Sequence, residues 1–173
     1  MGRVMSARLW YPQLDIYDAT RRIAGLLAFW NTEAPPSQER LFIADFYLAN
    51  PPLLHKTHMP SGVRKEFGTL KIKRPEKTFI RYPSAPILFQ KMGEVQRQAF
   101  RTLTGKGLVD FPNLERGLAT PSDTGIELFE QKFVPLFGSD EQQLAQFIAN
   151  SFAGAHPDIA SLRRSTGLRR ISR

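Results

Sequence analysis

The chain has 173 residues, 42% hydrophobic and 23% charged, which suits one folded domain and argues against a disordered chain. It has no cysteine, which excludes a disulfide framework, thiolate metal sites and a cysteine nucleophile. The net charge of +8 is segregated: residues 1–55 balance, 56–106 hold twelve Lys/Arg against three Glu, 107–162 hold two against eight acids, and 163–173 hold five Arg. Such a division points to charged partners more strongly than a uniform excess would.

No apolar run follows the arginines of MGRVMSARLW, so neither a secretory signal nor a transmembrane helix is expected, and the location expected is cytoplasmic. Ile23, Leu26, Leu27 and Trp30 then fall at helical spacing, with Asp15 or Asp18 as the candidate cap. Ser37 caps a second predicted helix that runs to about Asn50. Pro51 and Pro52 end it, because proline supplies no amide and disfavours helix in the residue before it. In this helix Leu41, Ala44, Leu48 and, beyond it, Leu54 are assigned to the core. Phe42, Phe46 and Tyr47 lie on the other flank, and are either core as well or a partner interface.

Residues 69–82, TLKIKRPEKTFIRY, alternate around RPEK and are read as a β-hairpin, with a short helix over SGVRKEFGTLKI as the competing assignment. Leu88, Met92, Val95, Ala99 and Leu103 mark one face of a longer helix from about Pro86 to Leu103. GLVDF, the turn PNLERG and LAT follow as a wing-like hairpin. A capping box from Thr124 to Glu127 opens the next helix, and one from Ser139 to Gln142 opens the last, which buries Leu144, Phe147, Ile148 and Phe152. The expected fold is mainly α with a small β-hairpin: a winged-helix-like core with additional helices over 1–160, and a basic tail over 161–173.

Catalytic patterns are missing. His55 and His58 form an HxxH pair without the glutamate of HExxH or a third ligand nearby, and are read as loop residues. GKG at 105–107 lacks the spacing of a phosphate loop, and GxSxG does not occur. Asp110, Glu115 and Asp123 are read as turn and cap residues around the wing. The cations are the remaining candidates. Lys71, Lys73, Arg74, Lys77 and Arg81 are interleaved with aromatics, and Arg163, Arg164, Arg169 and Arg170 sit in the tail. Both groups suit phosphate contact. No cofactor is expected.

Three stretches in order, WYPQLDIYDATRRIAGLL, RLFIADFYLANPPLL and YPSAPILFQKMGEVQRQAFRTLTGKGLV, resemble the middle component of bacterial ABC-three-component systems, the group that includes the Lamassu anti-phage systems. The similarity spans roughly residues 10–135. The resemblance implies a small non-enzymatic adaptor that accompanies an SMC-like ABC ATPase and an effector, often a nuclease. It carries no catalytic residues, and DNA is reached, if at all, through the complex. The alternative is a free-standing winged-helix DNA-binding protein or transcription regulator.

Overall fold

The computed structural model describes residues 11–75 and 84–169. Helix α1 (Ile16–Phe29) is the centre of the fold. The Asp15 carboxylate caps it, accepting from the Asp18 amide at 3.0 Å, and Trp30 leaves it in an extended conformation. Its Ala19, Ile23, Ala24, Leu26 and Leu27 are buried, and α2, α4 and α7 (defined below) pack around it. At Gly25 an added Cβ would lie 2.3 Å from the Phe137 ring, so this helix face is smooth where the ring seats.

Helix α2 (Gln38–Ala49) begins at Ser37, whose hydroxyl accepts from the Arg40 amide at 3.2 Å. Every residue from Leu41 to Leu48 is buried, the pattern of a helix enclosed on all sides. The Pro51–Pro52 pair converts its continuation into a 3-10 stretch, Pro51–Lys56. Helix α3 (Ser61–Thr69) follows, with Phe67 buried. Helix α4 (Ala85–Gly105) buries Met92, Ala99 and Leu103 as expected. Its inward face is centred nearer Phe89, Gln96 and Phe100, leaving Leu88 and Val95 partly buried.

The expected α+β fold with a wing is overturned: among the described residues there is no strand. Val109 and Pro121 form an isolated antiparallel bridge, in which Asp110 N donates to Thr120 O at 2.8 Å and Ser122 N to Leu108 O at 3.0 Å. The pairing cannot lengthen. The Asp110 carboxylate accepts from the Asn113 amide at 2.9 Å and, with Pro112 in the first turn, starts helix α5 (Phe111–Glu115) where the turn of a hairpin was expected. At the other end Pro121 has no amide to extend a ladder. The hairpin read over 69–82 is also corrected within the described part. Thr69 ends α3, the shorter form of the competing helix, and residues 71–75 join no strand, while 76–83 lie outside the described residues.

Helix α6 (Asp123–Leu128) is capped by Ser122, which accepts from the Gly125 amide at 3.0 Å, so the box placed at Thr124 lies two residues too late. Gly125 meets the chain closely: a Cβ there would sit 2.0 Å from the Leu108 carbonyl oxygen. A π-helical turn, Phe129–Phe133, and a 3-10 turn, Val134–Leu136, carry the chain to helix α7 (Ser139–Phe147). Ser139 is its first helical residue and no side chain caps it. Gln142 instead donates to the carbonyls of Val134 and Phe137. A second π turn, Ile148–Phe152, leads to the short α8 (Ala153–Ala155), and Leu144, Phe147, Ile148 and Phe152 are all buried, as read. Helix α9 (Ile159–Thr166) occupies the start of the expected tail. Asp158 caps it, Gly167 ends it at φ 71°, and Leu162 and Leu168 are buried.

Candidate functional site

The lone carboxylate of α2 is the hub of a buried polar network. Arg22 Nε donates to Asp45 Oδ1 at 2.7 Å and Nη2 to Oδ2 at 3.3 Å, while Gln96 Nε2 donates to Oδ2 at 2.8 Å and to the Phe42 carbonyl at 2.9 Å. Arg22 also bonds Asp18 and, at 3.1 Å, the Pro12 carbonyl. Burial works against the Arg22 charge, but Asp45 and then Asp18 outweigh it, and the guanidinium ends above its ordinary range. Asp45 is 0% exposed and both its oxygens are taken by donors of this chain. The network ties α1, α2 and α4 together and offers nothing to a substrate.

Phe42, Phe46 and Tyr47, weighed as a partner interface, are placed in the interior. Phe42 meets Phe100 edge-on at 6.0 Å, Phe46 meets Phe89 at 5.6 Å, and Tyr47 meets Phe152 at 5.7 Å. Burial pushes the Tyr47 phenol well above its ordinary range, and its hydrogen bond with Thr166 offsets only part of that. The three rings join the core instead of facing outward because α4 and the second π turn cover that flank of α2.

The basic segment starts where α3 ends. Lys71 has φ 53°, a left-handed backbone that residues with a Cβ adopt uncommonly, and the next carbonyl, Ile72 O, accepts from His55 Nε2 at 2.7 Å. His55 in turn stands edge-on to the buried Phe67 at 4.9 Å. The reversal at Lys71 is therefore pinned to the core. Beyond it Lys73 and Arg74, like Lys71, are exposed and have no ion pair among the described residues. Lys77 and Arg81 lie outside the described residues, as does Arg170. Of the remaining candidates, Arg163 clamps Glu39 at 2.7 and 2.6 Å, while Arg164 and Arg169 are exposed. The structure brings Lys71, Lys73 and Arg74 into one short strip and places the Arg163 group on a different element.

Two surface features escaped the sequence reading. Tyr17 (85% exposed) and Leu136 (62%) border an open groove of about 580 Å³, shared with Ile16, Thr102, Lys106 and Phe133. A second pocket, of about 440 Å³, has Arg40 in its wall. Neither was legible, because each is assembled from distant segments. His55 and His58 do not converge with other ligands: among the described residues no group of three or more His, Cys, Asp or Glu is placed to hold a metal. No helix of the described residues is long and apolar enough to cross a membrane.

The family model for the ABC-three component (ABC-3C) system Middle Component 5 matches residues 8–168, which takes in α7 and α9 as well as the earlier stretches. Comparisons with curated proteins and with solved structures return no match.

Proposed function

Since this chain belongs to the Middle Component 5 family of ABC-three-component systems, we propose that it is a non-catalytic adaptor coupling the other two components of a Lamassu-type anti-phage complex in the cytoplasm. The partners in this reading are an SMC-like ABC ATPase and an effector, a nuclease being the effector of choice. The observation that carries the reading is the family match across nearly the whole folded unit, from before α1 to the end of α9. Two surfaces support it. The Tyr17–Leu136 groove offers exposed apolar side chains of the kind partners cover. The Lys71–Arg74 strip offers exposed cations with no ion pair among the described residues, and within the assembled complex it touches DNA phosphates, joined by Lys77 and Arg81.

Co-expression with each neighbouring component, followed by size exclusion, tests the proposal. Co-elution with at least the ATPase is expected. A chain that stays monomeric beside both components contradicts it.

A further inference from the structure

We propose that the pocket around Arg40 receives an acidic side chain of a partner protein, an inference that rests on the adaptor reading above. The pocket lies where the end of α1, the loop after it, the first turn of α2 and the second π turn meet, with Trp30, Asn31, Pro35, Arg40, Asn150 and Pro157 in its wall. Its volume of about 440 Å³ falls within the usual range of binding pockets. A π turn as one wall fits that assignment, since such turns recur at functional sites.

Most of the other buried or half-buried arginines among the described residues hold a carboxylate, Arg97 holding Glu94; Arg64 is the exception, bonding only the Thr57 carbonyl, and it lies outside the wall of this pocket. Arg21 holds Asp18 and Glu141, Arg22 holds Asp45 and Asp18, and Arg163 holds Glu39. Arg40 donates from Nη1 to the Ala153 carbonyl at 3.2 Å and has no carboxylate of the described residues within ion-pair distance. It is half-buried, and that burial lowers its pKa where those of Arg21, Arg22 and Arg163 are raised by their acids. Asp158 acts on it only from a distance, with Oδ1 accepting from the Ser161 amide at 2.7 Å. A desolvated guanidinium of this kind is an incomplete ion pair.

Two of the wall's other side-chain donors are already engaged. The Trp30 indole N–H donates to Ala34 O at 3.0 Å, and the Asn150 amide donates to Phe29 O at 3.2 Å and Gln146 O at 3.0 Å. What remains is the Asn31 amide and the planar fork of Arg40, and the geometry of that fork matches a carboxylate held by two parallel bonds. One cation among the apolar surfaces of Trp30, Pro35 and Pro157 suits the stem and neighbours of a peptide glutamate better than the repeated phosphates of a nucleic acid.

Two measurements test this. In the first, the Arg40 Nε–H and Trp30 indole N–H signals of the whole chain are followed by NMR during titration with acetyl-Ala-Glu-Ala-amide, its Gln counterpart and inorganic phosphate. The Glu peptide should shift both signals to saturation, roughly tenfold more tightly than the Gln peptide, and Arg40→Gln should abolish the response. Signals that do not move with the Glu peptide overturn the pocket, and an equal response to phosphate overturns the carboxylate assignment. In the second, Arg40→Gln is co-expressed with the other components. Affinity should fall by about thirtyfold, the lower end for truncating one partner of a buried charge pair, while exposed Arg101→Gln should leave it unchanged. Wild-type affinity in Arg40→Gln overturns the proposal. If the Glu peptide binds at Arg40 but no component co-elutes with the wild-type chain, the pocket stands and the adaptor reading falls.

Discussion

Asp45 is the one carboxylate in an otherwise apolar run, and its partner Arg22 lies 23 residues away on another helix. Removing one member of such a pair leaves a charge buried without compensation, so Asp45→Ala should cost ~3–5 kcal/mol in chemical denaturation. The double variant Arg22→Met/Asp45→Leu should recover much of that loss, and an Asp45→Ala chain within about 1 kcal/mol of the parent would show that the network is not holding the helices. Phe46, 0% exposed between Phe89 and Tyr47, gives the second residue-scale expectation. Phe46→Ala should lower the melting temperature of the lone subunit by roughly 6–20 °C, and a fall of less than about 2 °C would return it to the list of interface residues. His156 makes stability depend on pH. Burial first, then Arg40 and His58, hold its pKa below the ordinary 6.5, against the opposing pull of a backbone hydrogen bond at His58 and of Asp158. The folded chain thus favours the neutral ring, whose Nε2 is buried and has no hydrogen-bond partner among the described residues. Its contribution is complete above 6.5 and is lost as pH falls through the lowered folded-state value, because the unfolded chain takes the proton first. Between about pH 7.5 and 5.5 the melting temperature should fall less in His156→Gln than in the parent, and equal falls would assign the acid sensitivity to other groups.

At the scale of elements, close approach sets the tolerance of the bridge region. Gly125→Ala drives a methyl into the Leu108 carbonyl and should cost about 1–3 kcal/mol, whereas Gly62→Ala in α3 meets nothing and should leave the melting temperature unchanged or raised. A tolerated Gly125→Ala would mean that α6 and the Leu108 backbone are not locked together. The helices with strong apolar spacing, α1, α2 and α4, were readable from sequence, as were the Ser37 cap and the stop at Pro51. The hairpins were not, because alternation is a weak signal when local chemistry opposes it. Asp110 followed by Pro112 makes a helix start, and Val63 with Phe67 gives α3 the four-residue step of a helix face. The two π turns left no mark, since their apolar residues continue the helical pattern on either side. The partners of Asp45, and a place for Arg40 beside a carbonyl and no carboxylate of the described residues, depend on tertiary neighbours, which spacing along the chain does not encode. For the basic strip, Lys71→Ala with Lys73→Ala should lower the slope of log affinity for DNA against log salt by about two in the assembled complex. An unchanged slope would turn that strip toward protein or solvent.

For the whole molecule, one core runs from α1 to Leu168, and the family match covers the same span. Its surface carries an apolar groove, a cationic strip and a pocket walled in part by Arg40, which has no ion pair among the described residues, three chemistries suited to different contacts. In the proposed role this chain joins the other two components. The most direct measurement is the mass of the species that co-elute when all three are co-expressed, with and without this chain, by size exclusion coupled to light scattering. A single complex containing all three, which separates into ATPase and effector when the chain is omitted, is the predicted result. An ATPase–effector complex of unchanged mass and yield without this chain would contradict that role.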